Sequence, residues 1–437
     1  MTIPSAPPGR SVAVIGSGVA GLTAAYVLAK HDEVTLFEAD PRLGGHAHTH
    51  DVDLGDGRQV RVDTGFIVHN DRTYPTLCAL FDELGVATQP TDMSMSVRSE
   101  ITGVEYAGAK GISGLFPTAR SLTRGRHVRM LGEVVRFHRA ARALLDSGTD
   151  DDGETLGSFV DRLRFSRYFV DHFMTPLVAA VWSCDPSSAL RYPARYLLTF
   201  LDHHGMLTVF GSPPWRTVTG GSARYVEKIA ATLHEVRTGT PVQRLERLPD
   251  GVRITANGEP RRFDAAVVAV HPHQALRLLD YATDAESDVL GAITYSTNVA
   301  RLHTDSSLLP RADAARASWN YLIPRDGAGG EESAGVVVTY DMSRLMRLDV
   351  PDRRFLVTLG GGGRVDPATV IAEMTYEHPL YTPESVAAQR RLTELDTDTV
   401  AFAGAYHGWG FHEDGAASGL RAAQRIGAAA ELVGVAS

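Results

Sequence analysis

The first 45 residues constrain this chain more than any other stretch. A β-branched run, Val12-Ala13-Val14-Ile15, leads into Gly16-Ser17-Gly18-Val19-Ala20-Gly21, and an apolar, alanine-rich stretch from Leu22 to Ala29 follows. A second short run, Val34 to Phe37, ends at Glu38. Strand, glycines, helix, strand and acid in that order predict a βαβ unit that binds a dinucleotide. Gly16 permits the tight turn, Gly18 lets a pyrophosphate approach the backbone, and Gly21 lets helix and strand pack closely. The helix start, at Ala20, offers free N–H groups and a positive dipole end to the phosphates. Glu38 stands where an acid accepts ribose hydroxyls.

The chain has 437 residues, 43% of them hydrophobic, and a formal charge of −9. That length predicts two domains. We find no basic start followed by an apolar core at the N-terminus, and no run near the ~18 apolar residues of a membrane span. Cys78 and Cys184 cannot form a disulfide framework, which predicts a reducing, cytoplasmic setting.

After Glu38 the chain continues Ala39-Asp40-Pro41-Arg42-Leu43-Gly44-Gly45. This Glu-x3-Arg-x-Gly-Gly extension resembles that of the FAD-dependent amine oxidase and phytoene desaturase superfamily. The resemblance continues in Val62-Asp63-Thr64-Gly65-Phe66, in Gly220-Gly221 with the amphipathic stretch Tyr225 to Leu233, and in the short strands around Pro241-Val242 and Gly251-Val252. It takes in the buried run Asp264 to Val270, which matches the strand closing the family's FAD sheet. It ends in Val400 to Gly404 followed by a helix opening at Glu413. The resemblance implies an α/β fold: a Rossmann-like FAD-binding domain of GR2 type, with an inserted mixed α+β substrate domain. The expected FAD blocks are 1–66, 220–290 and 396–437; the insertions are 67–219 and 291–395.

By the same resemblance, Gly16, Gly18, Ala20, Gly21, Glu38, Ala39, Arg42, Gly44, Gly45, His46, Thr64, Gly65, Val242, Gly404, His412 and Ala416 bind FAD. Phe411 lies over the flavin ring, Trp409 beside it, and the N–H of His412 meets the pyrimidine edge. His46 and His407 are the expected proton carriers, since imidazole titrates near neutrality. The catalytic set is thus His407, Trp409, Phe411 and His46. His46, His48 and His50 alternate, so on a strand they share a face. A metal there is weighed against a polar wall, and the wall is preferred; no metal is expected. Gly360 to Gly363 is read as a corner between a strand, Phe355 to Leu359, and a helix, Pro367 to Met374. Asp150-Asp151-Asp152-Gly153 is read as a solvated loop.

Further segments, among them Gly44 to Thr49, Tyr376-Glu377-His378-Pro379 and Gly408 to Gly415, resemble a narrower group. These are bacterial amine-oxidase-like FAD proteins associated with cyclopropane-fatty-acid synthase-type methyltransferases. Two positions depart from amine oxidases. Where those place a lysine water-linked to the flavin N5, this chain has Ser296-Thr297-Asn298-Val299. Where they place Glu, Asp or Thr, it has Ala405.

Between Lys110 and Arg142 lie eight basic residues, Lys110, Arg120, Arg124, Arg126, Arg129, Arg136, Arg139 and Arg142, against the single acid Glu133. Val128, Leu131, Val135, His138 and Leu145 recur beside them at helical spacing. A basic amphipathic helix of this kind suits an anionic membrane surface. A solvated helix packed on the core by its apolar face gives the same pattern. Nucleic acid is not expected, because the patch is local. The resulting expectation is a FAD-dependent oxidoreductase that takes hydride from a C–H of a hydrophobic substrate, oxidising or desaturating a long-chain acyl group. Amine or amino-acid oxidation, a non-catalytic accessory role in lipid modification and a non-redox flavin isomerase are the alternatives. A lipid methyltransferase is the expected partner, and the inner membrane face the expected place of contact.

Overall fold

A computed structural model describes residues 9–148, 153–208, 213–325, 337–427 and 432. Asp150 to Asp152 lie outside the described residues. Val12, Val14, Val34 and Leu36 are fully buried, as a parallel sheet covered on both faces requires. That sheet has five parallel strands in the order Val400–Phe402, Ala265–Val268, Ser11–Ile15, Glu33–Phe37, Glu235–Arg237. The run Asp264 to Val270 therefore does not close the sheet. Its strand, Ala265–Val268, lies inside, and Val400–Phe402 takes the edge.

Two helices, Val19–Leu28 and His412–Arg425, pack against each other over this sheet. Their backbones nearly touch. A Cβ on Gly419 would stand 2.1 Å from the carbonyl oxygen of Ala20, and one on Gly21 would stand 1.9 Å from that of Gly16. A buried carboxylate joins distant blocks of this half. Asp63 accepts from the Thr49 hydroxyl at 2.5 Å and from the Ser222 amide at 2.9 Å, so the end of one hairpin holds the start of the helix Ala223–Ala230. Burial pushes the Asp63 carboxyl up to about 6.

A second sheet of seven strands runs in the order Val370–Pro379, Tyr295–His303, Leu356–Leu359, Val338–Asp341, Trp319–Ile323, Met95–Ser99, Glu105–Ala107. Its last two strands come from the first insertion and its other five from the second. Trp319–Ile323 joins the two groups by pairing in parallel with Met95–Ser99.

Two sequence expectations fail. The helix from Pro367 to Met374 is absent. A single 3₁₀ turn, Pro367–Thr369, gives way to the strand Val370–Pro379. Its exposed Ile371, Glu373 and Thr375 interleave with buried Met374 and Tyr376, a period of two. The basic helix exists, as Gly125–Asp146, but it buries a different face. His127, Met130, Glu133, Phe137 and Ala141 point inward, while Val128 and Val135 are exposed. The offset is one residue, about 100° around the helix. Phe137 fixes it, since its ring sits among Phe159, Phe165, Phe169 and Phe173. Glu133 is tolerated inside because its carboxylate accepts from the Ser166 amide at 2.9 Å and hydroxyl at 2.6 Å.

Candidate active site

A cleft of about 910 Å³ opens at the carboxyl ends of the parallel strands, where open α/β sheets bind ligands. Gly16, Gly18 and Ala20 line its narrow end with Glu38, Ala39, Arg42, Gly45, His46, Thr64, Gly65, Val242 and Gly404. Ser17 organises this end. Its amide donates to Glu38 Oε2 at 2.8 Å, and its carbonyl accepts from the Gly44 amide at 3.1 Å. The acid and the Arg-Leu-Gly-Gly loop are thereby drawn around one turn. A Cβ built on Gly18 meets no atom within 4 Å. It would project into the space the cleft keeps open. Gly18 also caps the helix Val19–Leu28 with extended backbone and no side-chain bond, so the first amides are free for an anion. An open cradle, free helix amides and the Arg42 guanidinium together fit the diphosphate of FAD.

Four expected residues do not line the cleft: Gly21, Gly44, Ala416 and His407. Gly21 serves the helix–strand contact, and Gly44 holds Ser17 through its amide. Ala416 is buried one turn inside the C-terminal helix. His407 is the substantive correction. Its Nδ1 accepts from Arg421 Nη2 at 2.6 Å, and burial with the neighbouring guanidinium pushes its pKa down to about 3. It points behind the cleft and is not placed to move a substrate proton.

At the far end, the strand Val370–Pro379 presents Tyr376 and His378, two residues apart and so on one face. Sequence reading quoted both residues without giving them a role. The ring of His46 lies 4.8 Å from that of Tyr376 and 5.3 Å from that of His378. His46 precedes the strand Thr49–Asp53 and is not on it. The expected face shared by His46, His48 and His50 does not form: the His48 and His50 rings pack at a tilt of 34° with centroids 4.1 Å apart, while His46 turns into the cleft. The Tyr376 hydroxyl bonds Thr64 Oγ1 at 2.8 Å.

Asn298 stands behind His378. Its Nδ2 donates to the Ser183 carbonyl at 3.0 Å, which fixes the amide's orientation. The same nitrogen meets His378 Nδ1 at 3.2 Å. Nδ1 therefore accepts, and the His378 proton sits on Nε2. Burial pushes the pKa of His378 down to about 4, and that of His46 well below the usual range, so both rings are neutral at pH 7.

The wall beyond is aromatic. Phe411 stacks on Phe200 at 4.8 Å, and Trp182 Nε1 donates to the Trp409 carbonyl at 3.1 Å. Trp409 and Phe411 both line the cleft, with Met93, Met206, Trp215 and Trp319 further along. His412 lies stacked on Phe66 at 3.8 Å. Trp182, Phe200 and Trp215 could not be found from sequence, because no local pattern separates such rings from core packing. Among the described residues, the three-residue cluster with metal-ligand spacing is His271, His273 and Glu377, where His271 Nδ1 lies 2.7 Å from Glu377 Oε2.

Residues 19–369 match the model of the flavin containing amine oxidoreductases. The chain is 28% identical over 329 residues to the carotenoid phi-ring synthase of Streptomyces griseus, covering 68% of this chain and 60% of that one. It is 29% identical over 191 residues to the mitochondrial protoporphyrinogen oxidase of Nicotiana tabacum, covering 41% of this chain and 34% of that one. The chain thus spans less than two thirds of these curated relatives. Among solved structures, cyclohexylamine oxidase from Brevibacterium oxydans IH-35A superposes with a TM-score of 0.67 at 18% identity, covering 96% of this chain and 99% of that one. A fatty acid isomerase from P. acnes gives 0.67 at 17%, covering 97% and 100%. Those two likenesses establish the fold: a Rossmann-like FAD domain with a substrate domain. With the cradle described above and a family match over most of its length, the chain belongs to the flavin-containing amine oxidoreductase family, and its cofactor is FAD.

Proposed function

We propose that this chain is a FAD-dependent oxidoreductase that takes hydride from a C–H of a hydrophobic substrate, and that the substrate is a long-chain acyl group. One observation carries this reading. The substrate end of the cleft is walled by Met93, Trp182, Phe200, Met206, Trp215, Trp319, Tyr340 and Leu359, and the carboxylate nearest to it in the lining, Glu377, is engaged by His271 Nδ1 at 2.7 Å. An ammonium group would have to compete with His271 for that carboxylate. An alkyl chain gains about 0.8 kcal/mol for each methylene it buries. Solved structures of this fold are named for an amine oxidase and for a fatty acid isomerase, so the wall, more than the fold, discriminates.

Bound FAD supplies a two-electron acceptor. The chain's residues do the rest. The aromatic wall holds the alkyl chain straight and excludes water. Loss of hydride from one carbon and of a proton from its neighbour leaves a carbon–carbon double bond. His46, neutral and with Nε2 buried and unpaired, is the group placed to receive that proton. His378, locked by Asn298 with its proton on Nε2, is a donor that orients the polar end of the substrate or a water. The test is incubation of the holoprotein with acyl lipids and an artificial electron acceptor, followed by mass spectrometry. The expected product is lighter by two hydrogens. An unchanged lipid pool beside an oxidised amine would replace this reading with amine oxidation. Unchanged pools of both would favour the accessory role.

A further inference from the structure

We infer that the surface built by residues 100–142 docks the protein on an anionic lipid bilayer. The inference stands apart from the substrate reading above, because none of these residues lines the cleft. Seven large apolar side chains are exposed among the described residues, and five of them belong to this one region: Ile101 at 63%, Ile112 at 77%, Leu122 at 59%, Val128 at 47% and Val135 at 43%. They are brought together by contacts that tie their elements into one surface. Arg124 Nη1 donates to the Thr102 carbonyl at 2.6 Å, which fastens the hairpin tip to the head of the helix Gly125–Asp146. His127 Nε2 meets the Leu115 carbonyl at 2.9 Å, which fastens the short helix Gly111–Leu115 to the same place. Val128 and Val135 are seven residues apart and so share one outward line.

The unpaired charge around these side chains is positive, since Glu100 and Glu105, beside Ile101, are engaged by Arg364 and by the Arg311 and Ala312 amides. Arg120, Arg126, Arg129 and Arg139 are exposed, and their guanidinium groups make no ion pair or hydrogen bond with other described residues. Between residues 106 and 145 the sole acid is Glu133, and it is turned inward on Ser166. The protein as a whole is nonetheless acidic, with a formal net charge of −9. Free arginines interleaved with bare aliphatic side chains match a surface with anionic headgroups over hydrocarbon. Nucleic acid offers phosphates but nothing for isoleucine, leucine or valine. No described helix is long and apolar enough to cross a membrane, and the contact inferred is a surface one.

The test uses the FAD-loaded full chain and sedimenting vesicles of phosphatidylcholine with or without phosphatidylglycerol. Binding is expected only with phosphatidylglycerol, and it should fall as salt rises from 0.05 to 0.5 M, since screening sets in over about 10 Å at 0.1 M. Replacing Arg126, Arg129 and Arg139 together by Gln should weaken binding roughly a hundredfold, from about 1 kcal/mol per basic residue at such a surface. The double variant Ile112→Ser, Leu122→Ser should weaken it several-fold while leaving the salt dependence in place. Flavin absorbance of each variant should equal that of the parent, which separates lost docking from lost folding. No binding to phosphatidylglycerol vesicles at low salt would overturn the inference. So would equal binding by the triple variant. Single-stranded RNA binding that ignores Ile112→Ser, Leu122→Ser would assign the surface to nucleic acid, and a dimer dissociated by the same changes would assign it to a second copy of this chain.

Discussion

The two ends of the cleft are built differently. The nucleotide end is made of backbone: glycines, free helix amides and one turn organised by Ser17. Most of its recognition elements, from Gly16 to Gly45, lie within 30 residues of one another in sequence, and Thr64, Gly65, Val242 and Gly404 join them from further along. The substrate end is made of side chains from segments far apart in sequence, such as Phe200 against Phe411 and Asn298 against His378, the latter pair 80 residues apart. Backbone recognition needs particular residues at particular spacings, and it leaves a motif. Side-chain recognition needs only bulk and polarity at a point in space, and it leaves none.

The contrast can be broken most severely at its packing glycines. Gly419→Leu would drive a side chain into the Ala20 carbonyl, which a Cβ alone would approach to 2.1 Å. Overpacking of this kind costs about 1–3 kcal/mol or more, and the variant should be recovered insoluble or without flavin. Gly18→Leu should behave otherwise. A Cβ there meets no protein atom within 4 Å, so the fold should survive while FAD is lost. Circular dichroism and flavin absorbance on both proteins would check the pair. Retained FAD in Gly18→Leu would show the cradle to be misplaced.

At the substrate end, Asn298→Leu removes the donor that sets the tautomer of His378. Flavin content should hold, while flavin reduction by substrate should slow by about 10²-fold, the low end of acid–base contributions. Asn298→Asp should not rescue it, because a carboxylate accepts where an amide donated. A merely structural role would instead be shared by both variants with loss of flavin.

Stability should fall in mild acid. His378 has its pKa lowered from 6.5 to about 4 by burial. The unfolded chain takes up a proton below pH 6.5 while the folded chain does not, so stability is lost between pH 6.5 and 4, by about 3 kcal/mol for this group. His412 and His204 act in the same sense. Asp63, raised to about 6, and Asp414, raised to about 7, act in the opposite sense, since the folded chain holds their protons longer as pH rises. Asp396 and Glu413 are raised too, but the buried histidines with lowered pKa outnumber these four acids, so the melting temperature should drop on going from pH 7 to 5. In His378→Gln that drop should be smaller. An unchanged drop would place the acid sensitivity elsewhere.

Legibility followed the same division. The βαβ unit, the Glu38 position and the Arg42-Leu43-Gly44-Gly45 loop were readable because local spacing dictates them. So was the helix at 412–425, from the strand that ends in glycine before it. The first half of the strand Val370–Pro379 reads as helix, over Pro367 to Met374, because Gly360 to Gly363 mimic a strand–turn–helix corner, and only the alternating burial reveals the strand. Sequence leaves open whether the stripe of Val128, Leu131 and Val135 faces a membrane or the core, and the distant phenylalanines around Phe137 turn a neighbouring face inward, one that includes His127 and Glu133. His407 drew attention by its place among aromatic residues, yet Arg421, fourteen residues on, holds it away from the cleft. The smallest effect expected at the substrate end comes from Phe411→Ala. Its ring is one layer of a stack with Phe200, and its loss should shift the flavin spectrum and slow reduction several-fold with the fold intact.

Anaerobic reduction of the bound flavin by two classes of compound tests the central claim most directly. The holoprotein is mixed without oxygen with long-chain acyl lipids and, separately, with primary and secondary amines, and loss of the visible absorbance of the oxidised flavin is followed in time. An apolar wall with Asn298 behind His378 predicts bleaching by acyl lipids, at a rate that rises with chain length, and slow or no bleaching by amines. Rapid bleaching by a simple amine, with acyl lipids inert, would contradict it.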